Sequence, residues 1–328
     1  KKYFLFFDPL SKLVLFAYLV TTRIGTLEGS SNMPYAKSDG VKLYYEEVGT
    51  GTAIIFLHEF AGDYRSWEPQ MRFFSNRYRC ISYNARGYPP SEIPDNVADY
   101  KQENQADDAI GVMDHLGIDK AHVVGLSMGG FATLHLGLRN PDRALSLAVT
   151  GCGYGAVKGN RDQFITEAEK IAQEYDQHGS EAVAEFYSIA STRVQFQNRN
   201  PRGWAEFKLQ LGEHSAVGAA NTMRGYQKTR PSLYDLEDQL KTLKVPTLIV
   251  TGDEDEPCLE PALYLKRTIA SSGLSVLPRS GHTINLEDPD LFNSVINSFI
   301  STVESGRWEL RDERSMGSPM LSPEKTTD

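Results

Sequence analysis

The segment Gly125-Leu126-Ser127-Met128-Gly129-Gly130 sets a serine between two glycines in a G-x-S-x-G spacing. The run before it, Ala121 to Leu126, is short and apolar, as a strand buried on both faces would be. The run after it, Met128 to Arg139, reads as a helix that stops before Pro141. A turn this sharp between strand and helix leaves no room for side chains two residues to either side of the serine. Gly125 and Gly129 meet that need, and the hydroxyl is pushed out at the sheet edge. The N-terminus of the following helix adds positive potential where an oxyanion would form. The alternative is a plain loop serine. The strand and helix around the motif favour a nucleophile.

A serine nucleophile needs a base and a group that orients the base. Seven histidines are available. His115 and His135 fall in helical stretches and His122 at a strand start, where structural roles are expected. His178 and His214 fall in a region without strand pattern. His282 belongs to Ser280-Gly281-His282, after the strand-like Leu274 to Leu277 and before the last helix. A loop there can reach back to Ser127, so His282 is the expected general base. Candidate acids follow the strand-like Thr247 to Thr251, in Gly252-Asp253-Glu254-Asp255-Glu256-Pro257. Four acids in one turn cannot all be catalytic, and most are expected to be solvated.

The elements that must position these groups alternate. Val41 to Val48, Ala53 to Leu57, Tyr78 to Tyr83, Ala121 to Leu126, Leu145 to Val149, Thr247 to Thr251 and Leu274 to Leu277 read as strands. Ala106, Ala109, Ile110, Met113 and Leu116 recur at helical spacing, and Pro289 to Val303 forms a final amphipathic helix with Asp288 as its N-cap. Strand and helix in alternation predict a mostly parallel sheet covered on both faces. Between Tyr154 and about Leu240 the pattern is helical only, with Phe164, Ala168 and Ile171, then Val183, Phe186 and Tyr187. An insertion there is expected to cap the carboxyl edge of the sheet, where open α/β sheets bind ligands. Trp204, Phe207 and Tyr226 are candidates for the cap side of a pocket, with packing between cap helices as the alternative.

Composition narrows the classes. The chain has 328 residues, 40% hydrophobic and 23% charged, with a net charge of -9. Such a balance disfavours a dedicated nucleic-acid binder, which needs a basic face. Cys80, Cys152 and Cys258 form no CxxC pair and no even disulfide framework. Gly151-Cys152-Gly153-Tyr154-Gly155 lacks the dinucleotide-binding spacing and is expected to let the chain leave the sheet. There is no G-x-x-x-x-G-K-[ST] and no H-E-x-x-H. Residues 1–33 are expected to be an extension outside the fold. Their alternative reading is a signal-like start, with Lys1 and Lys2 before an apolar stretch too short to span a bilayer. Residues 306–328, rich in Ser, Pro, Arg and Glu, are expected to be disordered.

From about Tyr35 to Ser305, roughly four fifths of the sequence, the chain resembles a capped α/β-hydrolase of the Ser-His-Asp type. The order of Ser127, the acidic turn and His282 is that family's order. The resemblance implies an α/β fold with a core of residues 34–153 and 241–305 and a helical cap of residues 154–240. Its G-x-x-D turn selects Asp255 as the acid, with Asp253 as the alternative. Its Ser-Gly-His motif falls on His282. Its H-G motif matches His58-Glu59-Phe60-Ala61-Gly62 only in part, because Glu59 replaces glycine. The oxyanion donors it implies are the backbone N–H groups of Met128 and Phe60. Glu59 is expected to pair with an arginine such as Arg86, in the Arg-Gly loop Asn84 to Pro89. Relatives with aspartate as nucleophile, the haloalkane dehalogenases and epoxide hydrolases, are disfavoured by Ser127. The expected reaction is hydrolysis of a small carboxylic ester or lactone through an acyl-enzyme. Alternatives are C–C bond hydrolysis, amide hydrolysis, cofactor-free perhydrolysis, or a non-catalytic binding role. No cofactor, metal, nucleic-acid partner or stable membrane span is expected. A cytoplasmic location is expected, or export if residues 1–25 act as a signal.

Overall fold

Residues 34–316 are described by a computed structural model; the expected extension 1–33, its signal-like alternative, and residues 317–328 lie outside the described residues. The strands are β1 (Tyr35–Ser38), β2 (Val41–Val48), β3 (Ala53–Leu57), β4 (Arg79–Tyr83), β5 (Ala121–Leu126), β6 (Ala144–Thr150), β7 (Thr247–Gly252) and β8 (Ser272–Leu277). They form one sheet in the order β1-β2-β4-β3-β5-β6-β7-β8. The β1–β2 and β2–β4 pairs are antiparallel; every later pair is parallel. The expected α/β architecture therefore holds, with one short strand more than the sequence reading. β1 has four residues and pairs only with β2, which gives it little pattern of its own.

β3, β5 and β7 are buried along their whole length because helices cover both faces. Their side chains alternate between two cores. Ile55, Leu57 and Val123 pack with Phe131 and Leu134 on one side, and Ile54, Phe56 and Val124 pack with Trp67, Phe74 and Phe292 on the other. The closing helix Pro289–Glu304 begins as expected: Asp288 accepts the Leu291 N–H at 3.2 Å. Helix Glu256–Thr268 was not evident in the sequence, because Pro257 in its first turn and Pro261 within it interrupt the helical signal.

Between β6 and β7 the described chain is helical, from Arg161–Tyr187 through Glu237–Thr242. Helix Arg161–Tyr187 breaks at Gly179, where φ is +78°. The segment Met223–Gln227 is a single π turn. This excursion lies close on the loop after β4: a Cβ on Gly218 would come 1.9 Å from the Gly87 carbonyl oxygen.

Residues 306–316, expected to be disordered, are ordered instead. The Trp308 ring packs against Phe299 at 4.6 Å between centroids, its Nε1 donates to the Ser271 carbonyl at 2.7 Å, and the Arg311 N–H donates to the Ala270 carbonyl at 3.0 Å. A half-buried aromatic ring and two hydrogen bonds to backbone carbonyls hold this polar stretch beside β8.

Candidate active site

Ser127 stands between β5 and helix Met128–Arg139 with φ +54° and ψ −111°, a region a residue with a Cβ occupies only under strain. The glycines around it explain how that conformation fits. A Cβ on Gly125 would lie 2.1 Å from the Gly129 carbonyl oxygen, and one on Gly129 would lie 2.0 Å from that of Leu57. The turn is tied to β6 as well: the Ser127 N–H donates to Thr150 O at 2.8 Å, and Thr150 Oγ1 donates to Gly125 O at 2.8 Å. Met128 opens the helix, so its N–H has no carbonyl of the same helix to bond.

The ends of β7 and β8 bring the other groups in. His282 Nδ1 donates to Asp255 Oδ2 at 2.7 Å, and both side chains are buried. Burial alone would push the Asp255 carboxyl up, but the charge and hydrogen bond of His282 outweigh it and hold it below its ordinary value. Burial likewise pushes His282 down; the Asp255 charge and hydrogen bond, helped by Glu59 and opposed by Arg193, raise it above its ordinary value. Cys258 packs beside Asp255, whose Oδ1 is buried without a hydrogen-bond partner, and the thiol is raised far above its ordinary value by burial and then by Asp255. Asp255, Cys258 and His282 also form the one cluster with metal-ligand chemistry among the described residues, and two of the three, Asp255 and His282, are bonded to each other. Asp253 has a different task, accepting the Ser280 N–H at 3.1 Å.

The loop carrying His282 is fixed from behind by a residue that no motif singles out. The Glu287 carboxylate accepts the Gly281 N–H at 2.7 Å and the Thr283 N–H at 2.9 Å. From the helical excursion, the Thr192 carbonyl accepts the His282 N–H at 2.9 Å. Gly281 is required there, since a Cβ would come 2.2 Å from that same Thr192 oxygen.

The loop after β3 is shaped by His58. Its Nε2 accepts the Ala85 N–H at 3.0 Å, so Nδ1 carries the proton donated to Glu59 O at 2.7 Å. Burial lowers the His58 pKa, in keeping with a neutral ring. Tyr88 Oη donates to Phe60 O at 2.9 Å, holding the peptide next to the expected Phe60 donor. Glu59 pairs with Arg193 of the excursion, not with Arg86. Arg193 Nη1 donates to Glu59 Oε1 at 2.8 Å, Nη2 donates to Oε2 at 2.5 Å, and Thr283 Oγ1 accepts a further Arg193 hydrogen bond. Arg86 is taken by Asp108 at 2.7 Å.

Ser127, Asp255, His282 and Phe60 line one cavity of about 360 Å³. No hydrogen bond joins Ser127 Oγ to the imidazole, an alignment that commonly tightens only with substrate present. The excursion supplies Phe164, Ala168, Ile171, Phe186 and Tyr187, the residues that recur at helical spacing in the sequence. It does not supply Trp204 or Tyr226. Trp204 Nε1 donates to Ser188 O at 2.8 Å within the excursion. Tyr226 is fully buried, and its Oη donates to Met128 O at 2.9 Å. Both are packing residues, as is Phe207, buried beside Phe196.

Residues 52–289 match the family model for the alpha/beta hydrolase fold. The chain belongs to that family. The 3-oxoadipate enol-lactonase 1 of Acinetobacter baylyi is 26% identical over 77% of this chain and 90% of its own length. A 2-hydroxy-6-oxo-6-phenylhexa-2,4-dienoate hydrolase of Burkholderia cepacia is 30% identical over 79% of this chain and 91% of its own. The crystal structure of the enol-lactonase from Burkholderia xenovorans superimposes with a TM-score of 0.73 at 25% identity, covering 82% of this chain and all of that one. The expectation of an α/β-hydrolase holds, and its relatives include enol-lactonases and other hydrolases.

Proposed function

We propose that this chain is a serine hydrolase that cleaves a small carboxylic ester or lactone through an acyl-enzyme. Ser127 Oγ attacks the carbonyl carbon while His282 Nε2 takes its proton. Asp255, bonded at Nδ1, holds the tautomer that leaves Nε2 free and stabilises the imidazolium that forms. The carbonyl oxygen, now an oxyanion, turns to the N–H groups of Met128 and Phe60, at the positive end of helix Met128–Arg139. His282 returns its proton to the leaving alkoxide. For a lactone that oxygen remains tethered to the acyl group. Water then attacks the acyl-enzyme with His282 again as base, and Ser127 is restored. The observation that carries this reading is the 2.7 Å Asp255–His282 bond on the wall of the same cavity as the strained Ser127. The helical excursion of residues 154–240 acts as the cap. It supplies cavity wall, apolar and charged, and none of the reacting groups.

The test is turnover of p-nitrophenyl esters of graded chain length and of a set of simple lactones, with Ser127→Ala as blank. Hydrolysis by the wild type that falls by about 10³-fold or more in Ser127→Ala supports the reading. Hydrolysis that survives the substitution contradicts it. The relationship to the 2-hydroxy-6-oxo-6-phenylhexa-2,4-dienoate hydrolase favours one second reading, C–C bond cleavage of a vinylogous diketone at the same serine. Faster turnover of such a diketone than of any ester or lactone would establish it.

A further inference from the structure

Three cations line the cavity: Lys170, Arg193 and Arg230. Lys170 is exposed to solvent and Arg193 is neutralised by Glu59. Arg230 is different. It is 3% exposed, and its Nε and Nη1 are buried without a hydrogen-bond acceptor. Its Nη2 donates to the Tyr154 carbonyl at 2.6 Å. The guanidinium lies 3.8 Å from the ring centroid of Phe131 and 5.0 Å from that of Phe164. Ring faces answer part of a cation's charge. They do not answer N–H groups, which lie in the guanidinium plane. Nor do the nearby acids: Glu167 accepts from Tyr154 Oη and from Gln163 Nε2, and Asp255 is bound to His282. Arg161, whose Nη2 donates to the Arg230 carbonyl, adds a second positive charge behind it. Burial pulls the Arg230 pKa down, and the surrounding tyrosine and thiol groups only partly offset that. A guanidinium remains charged even so. A buried cation with free donors is costly unless something supplies the acceptor.

We infer that Arg230 receives an anionic group of the substrate, so that the site selects esters or lactones bearing a carboxylate over neutral ones of the same size. The inference rests on the ester or lactone reading above. A cavity of about 360 Å³ lined by both Ser127 and Arg230 lets one small molecule meet both at once. A carboxylate there would supply the acceptors that the buried Nε and Nη1 lack, as charge-assisted hydrogen bonds.

Two probes of matched shape test it: the mono-p-nitrophenyl ester of glutaric acid, and the same compound with its free carboxylate methylated. The readout is the ratio of kcat/KM for the anionic over the neutral ester, taken within each protein, so the amount of folded enzyme cancels. The ratio is expected to favour the anion in the wild type, to fall about 10- to 100-fold in Arg230→Met, and to be largely kept in Arg230→Lys. A wild-type ratio at or below one overturns the inference, as does a ratio unchanged in Arg230→Met. If the wild type hydrolyses neither ester, the ester reading has failed, and calorimetric binding of glutarate decides on Arg230. Binding that Arg230→Met weakens at least tenfold supports the anion site. Binding equal in both proteins, or none in either, overturns it.

Discussion

At the scale of single residues, the chemistry turns on how the protein divides charge between Asp255 and His282. Asp255 is held ionised although it is buried, and His282 is raised although burial opposes it. A base acts only when neutral, so its useful form disappears as pH falls through its own pKa. The acidic limb of kcat/KM is therefore expected above the ordinary imidazole value near 6.5. Asp255→Asn removes the charge that raises His282, so the limb is expected to move to lower pH while kcat falls about 10³- to 10⁴-fold. Asp253→Asn, which alters only a hydrogen bond to the Ser280 N–H, is expected to cost far less. Steady-state kinetics of both variants across pH check this, and the reverse ranking would move the acid to Asp253. The sequence revealed much of this scale. The glycine spacing around Ser127 and the loop after the last strand follow from local rules, whereas the order of the groups and the choice of Asp255 came with the family resemblance. It did not reveal Glu287 or the partner of Glu59. Arg193 lies 134 residues from Glu59, and no periodicity links them.

At the scale of elements, the helical excursion is fastened to the core beside the reacting groups. Arg193 joins the loop after β3 to Thr283, next to His282, and the Thr192 carbonyl holds the His282 N–H. Both partners of the Arg193–Glu59 pair are 2% exposed, so removing one strands the other charge in a dry site. Glu59→Gln is expected to cost about 3–5 kcal/mol of unfolding free energy, and the double variant Glu59→Gln/Arg193→Met is expected to recover part of it. Denaturant unfolding measures both, and a single variant as stable as the wild type would mean the pair fastens nothing. The excursion's other role is selectivity. Phe164→Ala or Ile171→Ala opens the cavity wall and is expected to reorder preference among ester chain lengths by roughly 10–200-fold. Trp204→Ala should lower stability with little change in that order, because Trp204 packs against Ser188 away from the cavity. Chain-length profiles of the three variants test the division. Helical spacing marked Phe164, Ala168 and Ile171 as one face of a helix without saying that this face borders the cavity. Tyr226, read as either a pocket or a packing residue, lies in a π turn and packs.

At the scale of the whole molecule, one sheet gathers groups distant in sequence at a single edge. Phe60 follows β3, Ser127 follows β5, Asp255 follows β7 and His282 follows β8. Because those strands are neighbours or near neighbours in a parallel sheet, their carboxyl ends open on one side. This much was legible from buried apolar runs alternating with helices. What was not legible depends on contacts made late in the chain, such as Trp308 against Phe299, which orders a stretch whose composition resembles disorder. No helix among the described residues is long and apolar enough to cross a membrane. The proposed reaction requires Ser127 to be the residue that bonds covalently to substrate. The direct measurement is reaction of the purified protein with a small fluorophosphonate, followed by peptide mass spectrometry. A single phosphonyl adduct on Ser127, absent from Ser127→Ala and strongly slowed in His282→Ala, is the result expected. An adduct on another residue, or no adduct in protein that still hydrolyses esters, would contradict it.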